Sequence, residues 1–260
     1  MPQGSVLGPH LLCAVIASLH PACPNTRFIK YADDVTALHF LRETKDDNLQ
    51  LEFDHICRWS ENAGLPLNSS KSAVMDIVTK STIRLQPLVD DEGAVLPSVT
   101  SLKTLGVTFT SNLRWDEHCK DICKRASKRI YAIRNLKRSG CAIESLLKVY
   151  RLTIQSLLTY CHPCCCNMSQ ACLDSLSKVE KRCLKIIARN SNKPLPPFNT
   201  LRTAILDCCE RLFQNVLRQN NHRLRTLFDH RNPTPRNNST LRKPKCHTAR
   251  LKNSFVKFCR

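Results

Sequence analysis

Apolar positions along this chain recur with two periods, and the change from one to the other divides it near residue 110. Before that point the runs are short. Phe28-Ile29-Lys30-Tyr31 and Val35-Thr36-Ala37-Leu38 are β-prone and flank a tight reversal, with the small Ala32 leaving room for the chain to turn. Residues 73–78 predict a further strand, Asp90-Asp91-Glu92-Gly93 predicts an exposed hairpin tip, and Leu105, Val107 and Phe109 alternate as a half-buried strand does. Two helices interrupt these runs. One is a buried helix over 11–20, behind the 28–38 hairpin. The other spans 46–63, with Leu49, Phe53, Ile56, Cys57 and Ala63 on one face and Gly64 as its C-cap.

From Trp115 the period becomes 3.6. Trp115, Cys119, Ile122, Ala126, Ile130 and Ile133 share one helical face, with Lys and Arg opposite, and Gly140 breaks the helix. A second helix carries Ile143, Leu146, Leu147, Tyr150, Ile154, Leu157 and Leu158, and a third carries Ala171, Leu176, Val179 and Ile186-Ile187. Short connections between them predict an antiparallel bundle. Pro194, Pro196 and Pro197 mark a linker, a helix is expected over 201–228, and the Arg-, Asn-, Thr- and Pro-rich stretch 232–245 predicts disorder before a short basic helix over 247–260.

Charge follows the same division. Residues 1–118 hold 10 Lys and Arg against 14 Asp and Glu, whereas residues 119–260 hold 30 against 7. A basic second half of this kind suits a phosphate backbone, and Lys124, Arg125, Lys128 and Arg129, continuing into Arg134, Lys137 and Arg138, are its candidate contacts. No apolar run is long enough to cross a bilayer. Sixteen cysteines, 13 of them after residue 118, invite a disulfide or zinc reading. Disulfide frameworks belong to short secreted chains, and 11–19 lacks the basic flank of a signal peptide. The cluster Cys161-His162-Pro163-Cys164-Cys165-Cys166 with Cys172 has poor spacing for tetrahedral zinc, so packed thiols are expected.

The chemistry concentrates at Tyr31-Ala32-Asp33-Asp34. Adjacent carboxylates at a hairpin turn repel unless a cation neutralises them, and such a pair holds divalent metal in a two-metal nucleotidyl transferase. Gln3 and the Cβ-free Gly4 sit in a loop that lets a template base or nucleotide come close. The tetrapeptide has company in a fixed order: Pro2-Gln3-Gly4-Ser5-Val6-Leu7-Gly8-Pro9 before it, then Gly64-Leu65-Pro66-Leu67-Asn68-Ser69-Ser70-Lys71-Ser72 and Leu102-Lys103-Thr104-Leu105-Gly106-Val107-Thr108-Phe109. This series resembles the reverse transcriptases of non-LTR, jockey-like long interspersed elements, and Arg182-Cys183-Leu184-Lys185-Ile186-Ile187 resembles a later stretch of the same family.

The resemblance implies an α+β fold: the C-terminal part of a polymerase palm, an antiparallel sheet with helices, over 1–110, then an α-helical thumb over 111–190 and a partly disordered basic extension over 191–260. It implies an RNA-directed DNA polymerase acting on an RNA template, a DNA primer and deoxynucleoside triphosphates, with Mg²⁺ or Mn²⁺ on Asp33 and Asp34. Tyr31 with Gln3 and Gly4 would meet nucleotide or template, Lys71 would assist departing pyrophosphate, and Leu105, Gly106 and Val107 would grip the primer. An intracellular protein is expected, with the nucleus as one candidate compartment, and not a secreted one. In the family a first metal-binding aspartate, the fingers and an endonuclease precede the PQG block. This chain starts beside that block, so a C-terminal fragment, inactive alone, is expected. The alternative expectation is a catalytically dead, basic nucleic-acid-binding remnant.

Overall fold

The computed structural model describes residues 5–41, 48–77, 86–91, 93–189 and 195–227. Gln3, Gly4, the tail after residue 227 and the linker's Pro194 lie outside them. The fold is mixed, with helices and two small two-stranded sheets, roughly α+β. The chain divides into two compact units, residues 1–102 with 110–113, and residues 103–109 with 114–260.

The first unit opens with α1 (Leu7–Ala17), which starts four residues earlier than the apolar run suggests and stops sooner. Ser5 Oγ accepts the Gly8 N–H at 3.0 Å, so one orphan donor of the first turn is satisfied, and Pro9 falls within that turn, where its missing N–H costs nothing. The expectation of a buried helix is corrected, because only Gly8 and Ile16 are buried while Leu7, Leu11 and Val15 are exposed. Its other end is held from the strand that follows: Lys30 Nζ donates to the carbonyls of Ile16 at 2.7 Å, Ala17 at 3.4 Å and Leu19. A cation on terminal carbonyls satisfies groups the helix cannot pair itself.

Strands β1 (Thr26–Tyr31) and β2 (Asp34–His39) pair antiparallel, from Thr26 opposite His39 to Tyr31 opposite Asp34. Helix α2 (Leu49–Asn62) ends at Gly64, whose φ of +63° suits the left-handed position after a helix, and the Leu65 N–H reaches back to the Ser60 carbonyl at 3.0 Å. Its buried face differs from the expected apolar stripe. Glu52, Cys57 and Ser60 are buried, whereas Phe53 and Ile56 are half-buried. The reason is the loop before β1, whose Ala22 and Cys23 N–H groups donate to Glu52 Oε1 at 3.0 Å and Oε2 at 2.8 Å. Burial pushes the Glu52 carboxyl up, but these bonds and one from Thr26 outweigh it and hold the group below the usual carboxylate range.

The strand expected at 73–78 is not formed over its described residues; Val74 makes a single parallel bridge to Ser98. A lone bridge has no neighbouring ladder to extend it. The hairpin tip near residue 90 does form, with Val89 bridged to Val95 and the Gly93 N–H on the Asp90 carbonyl at 2.9 Å. Strands β3 (Ser101–Thr104) and β4 (Val107–Thr110) make the second hairpin. The continuous strand expected through Leu105 is therefore corrected: Leu105 and Gly106, at φ +48° and +78°, form the turn between the two strands.

The second unit packs α3 (Asp116–Arg138), α4 (Ile143–Tyr150), a π-helical turn (Arg151–Gln155), the short α5 (Ser156–Leu158), α6 (Gln170–Ala188) and α7 (Leu201–Arg218). Its core is the predicted one, since Cys119, Ile122, Ala126, Ile130 and Ile133 of α3 meet Leu146, Leu147, Tyr150, Ile154, Leu176, Val179, Cys183 and Ile187. Gly140, at φ +79°, reverses the chain after α3. Trp115 donates its indole N–H to Asn167 at 2.6 Å, and Ser169 caps α6 by accepting the Cys172 N–H. The helix expected over 201–228 ends at Arg218, and the basic helix expected over 247–260 lies outside the described residues.

Candidate metal turn and nucleic-acid surface

The first candidate site is the β1–β2 turn. Ala32 takes φ +51°, a left-handed conformation that is uncommon outside glycine, and so lets the chain reverse in two residues. Asp33 sits at the tip and Asp34 opens β2 opposite Tyr31. Tyr31, Asp33 and Asp34 are exposed, and among the described residues neither carboxylate joins an ion pair. Lys71 ends a 3-10 turn (Ser69–Lys71), also exposed, with no bond among the described residues joining it to the aspartates.

The fit to a divalent cation is one of chemistry more than of number. Two solvent-facing carboxylates are the hard oxygen donors that Mg²⁺ and Mn²⁺ prefer. Among the described residues, however, no group of three or more His, Cys, Asp or Glu side chains is placed to hold a metal ion. The pair therefore supplies only part of a ligand set.

In the second unit the Leu105–Gly106 turn is clasped by a residue 55 positions away. Tyr160 Oη donates to the Leu105 carbonyl at 2.6 Å, and a Cβ on Gly106 would stand 3.3 Å from Tyr160 Cε1. Val107 is buried beside it and Leu105 is 43% exposed. Next along β4, the Thr108 N–H donates to His118 Nδ1 at 3.3 Å, which leaves the buried His118 Nε2 without a partner among the described residues. Burial lowers the His118 pKa and keeps the ring neutral.

The four basic residues singled out on α3 divide into two kinds. Lys124 and Lys128 are exposed, and neither enters an ion pair among the described residues. Arg125 pairs with Asp121 at 3.5 Å, and Asp121 is held in turn by Lys103 at 3.0 Å, which with Arg125 keeps its carboxyl below the usual range. Arg129 donates to the Thr153 carbonyl in the π-helical turn. Lys137, from the same basic face, donates to the Ile187 carbonyl at the end of α6 at 2.9 Å. The exposed stripe instead runs through Lys120, Lys124, Lys128, Tyr131, Arg134 and Arg138, which the helical repeat places on one side. Lys120 and Tyr131 escaped sequence reasoning. Tyr131, 65% exposed among these cations, breaks the pattern of a purely solvated face, and that break was the available signal.

Residues 1–109 match the family described as reverse transcriptase (RNA-dependent DNA polymerase). The chain is similar to the probable RNA-directed DNA polymerase from transposon BS of Drosophila melanogaster, 26% identical over 163 residues, covering 58% of this chain and 18% of the relative. It is also similar to the probable RNA-directed DNA polymerase from transposon X-element of Drosophila melanogaster, 28% identical over 160 residues, covering 58% and 17%. The RNA-directed DNA polymerase from mobile element jockey of Drosophila funebris is 26% identical over 180 residues, covering 62% and 18%. The chain thus spans under a fifth of these relatives' length. A likeness over 58% of 260 residues cannot fit within residues 1–109, so it continues into the helical unit. No solved structure matches the chain.

Proposed function

We propose, from the premise that residues 1–109 belong to the reverse transcriptase (RNA-dependent DNA polymerase) family, that this chain is part of the RNA-directed DNA polymerase of a non-LTR retrotransposon. The observation that carries the proposal is the β1–β2 turn, which offers two adjacent carboxylates to solvent inside the matched segment. Asp33 and Asp34 would hold Mg²⁺ or Mn²⁺, which when bound neutralises the phosphates of a deoxynucleoside triphosphate and activates a primer 3′ hydroxyl. Tyr31, paired with Asp34, orients the turn and presents its exposed ring beside the nucleotide. Lys71 offers a cation to departing pyrophosphate. The Leu105–Gly106 turn with Val107 after it, held by Tyr160, offers the exposed Leu105 to the primer, while the missing Gly106 Cβ leaves room for the Tyr160 ring. Gln3 and Gly4 complete the nucleotide and template contacts in this reading. The stripe from Lys120 to Arg138 serves as the thumb, neutralising phosphates along an RNA–DNA duplex while Tyr131 offers an aromatic face. Action on RNA within the cell, the nucleus included, follows from the same reading.

A second reading rests on the ligand count. With two carboxylates and no third among the described residues, the chain by itself binds nucleic acid without extending a primer. Primer extension on an RNA template with Mg²⁺ or Mn²⁺ separates the readings. The expected result is duplex binding without nucleotide incorporation, and Mn²⁺ binding to the chain that is weakened in Asp33→Asn. Incorporation abolished by Asp33→Asn would show that this chain completes its own ligand set. Mn²⁺ binding unchanged in Asp33→Asn would remove the turn from the site.

A further inference from the structure

The cysteine cluster is the strongest feature that polymerase chemistry leaves unused. Cys161-His162-Pro163-Cys164 places two thiols three residues apart at a sharp bend: Cys161 is left-handed at φ +54°, and a 3-10 turn (His162–Cys165) follows. The Cys164 N–H reaches the Cys161 carbonyl at 3.0 Å. A turn closed in this way brings its end Cα atoms within about 7 Å, close to the range of about 4.4–6.8 Å in which a disulfide forms. The intervening His162 and Pro163 are buried and anchor the bend, while Cys164 is exposed and Cys161 half-buried.

Among the described residues, Cys166 with Cys209 and Cys119 with Cys172 lack that access. Cys166 and Cys209 have their sulfurs 3.8 Å apart, but Cys209 is fully buried on α7. Cys119 donates to the Cys172 carbonyl at 3.4 Å inside the helical core. We propose that Cys161 and Cys164 form a reversible dithiol–disulfide pair that exchanges with small-molecule disulfides of the glutathione class.

The order of events follows from exposure and hydrogen bonding. Cys164 is the exposed sulfur of the pair, and a hydrogen bond from the Cys161 thiol lowers its pKa from the usual thiol value, which favours Cys164 as the attacking thiolate. Its sulfur attacks one sulfur of the small disulfide, whose S–S bond breaks and releases one glutathione thiolate. Cys161 then loses its proton to water and attacks the Cys164 sulfur, expelling the second glutathione thiolate. Two electrons pass from the protein dithiol to the small disulfide, and the two thiol protons of the protein end on water or the released thiolates. Tyr160, which clasps the Leu105–Gly106 turn, is adjacent to Cys161 in the chain.

The test uses the full chain in glutathione buffers of rising oxidised fraction, trapped with a maleimide and read by fragmentation mass spectrometry. A Cys161–Cys164 disulfide that appears with oxidant and disappears on reduction is expected. In Cys161→Ser the reaction should stop as a mixed disulfide on Cys164, and in Cys161→Ala, which removes the donor, the pH midpoint for alkylating Cys164 should rise. In Cys164→Ser no glutathione should attach at Cys161. Unchanged protection of the buried Cys165 and Cys183 checks that the variants are folded. Both thiols alkylated at every buffer ratio, a Cys166–Cys209 link forming first, or an unmodified Cys164 in folded Cys161→Ser would each overturn the proposal.

Discussion

Tyr150 donates its hydroxyl proton to Glu180 Oε1 at 2.9 Å, and the same carboxylate oxygen accepts the backbone N–H of Leu201 at 2.6 Å. One buried oxygen thus joins α4, α6 and the first residue of α7. Burial, together with the Glu180 charge, raises the Tyr150 pKa and keeps its proton in place. Tyr150→Phe should lower unfolding stability by about 1–2 kcal/mol, the cost of a lost buried hydrogen bond. Urea denaturation monitored by helical circular dichroism measures it. Glu180→Ala, which strips both donors, should cost more and should expose α7 to proteolysis before the rest of the unit.

Glu52 predicts a pH dependence. Its folded pKa lies below its unfolded value, so its contribution to stability is present above about 4.5 and is lost as pH falls through the folded value. Glu52→Gln keeps the shape and one accepting oxygen but sets an amide NH2 against the other of the Ala22 and Cys23 N–H groups, and it should remove that part of the acid sensitivity. The measurement is chemical denaturation from pH 7 down to pH 3 for both proteins. Parallel curves would show that Glu52 is not what titrates.

The turn clasp makes Gly106 and Tyr160 interdependent. Gly106→Ala combines a left-handed strain of about 1–2 kcal/mol with a Cβ pressed to 3.3 Å from the Tyr160 ring. Tyr160→Phe should cost about 0.5–1.5 kcal/mol through loss of the bond to Leu105. Since the two residues touch, a thermal-denaturation double-mutant cycle should show non-additivity. Ala32 is the converse case: Ala32→Gly relieves a left-handed alanine and should raise stability by about 0.5–1 kcal/mol.

Nucleic-acid affinity should fall steeply with salt, and the two kinds of basic residue on α3 should separate in that measurement. Reversing Lys124 and Lys128 to Glu should reduce the slope of log affinity against log salt by about 0.7–0.9 for each phosphate no longer neutralised. Arg125→Gln and Arg129→Gln should act mainly on stability, because those side chains are engaged with Asp121 and Thr153. Tyr131→Ala should weaken binding without changing the slope. Equal slopes for all four basic variants would contradict this division.

Local repetition determined much of this protein. The apolar faces of α3, α4 and α6 were legible because residues three and four apart share a side of any helix, whatever it packs against. The β1–β2 turn with Asp33 and Asp34 was legible because two β-prone runs flank it closely. What tertiary structure alone decided involves groups far apart in the chain. Glu52 is buried because Cys23, 29 residues earlier, needs an acceptor. Arg129 leaves the basic stripe for a carbonyl 24 residues on, and Leu105 turns where alternation predicted a strand, held by Tyr160, 55 residues on. A polar side chain's role depends on which unpaired donors and acceptors the fold brings beside it, and sequence periodicity carries no record of those partners.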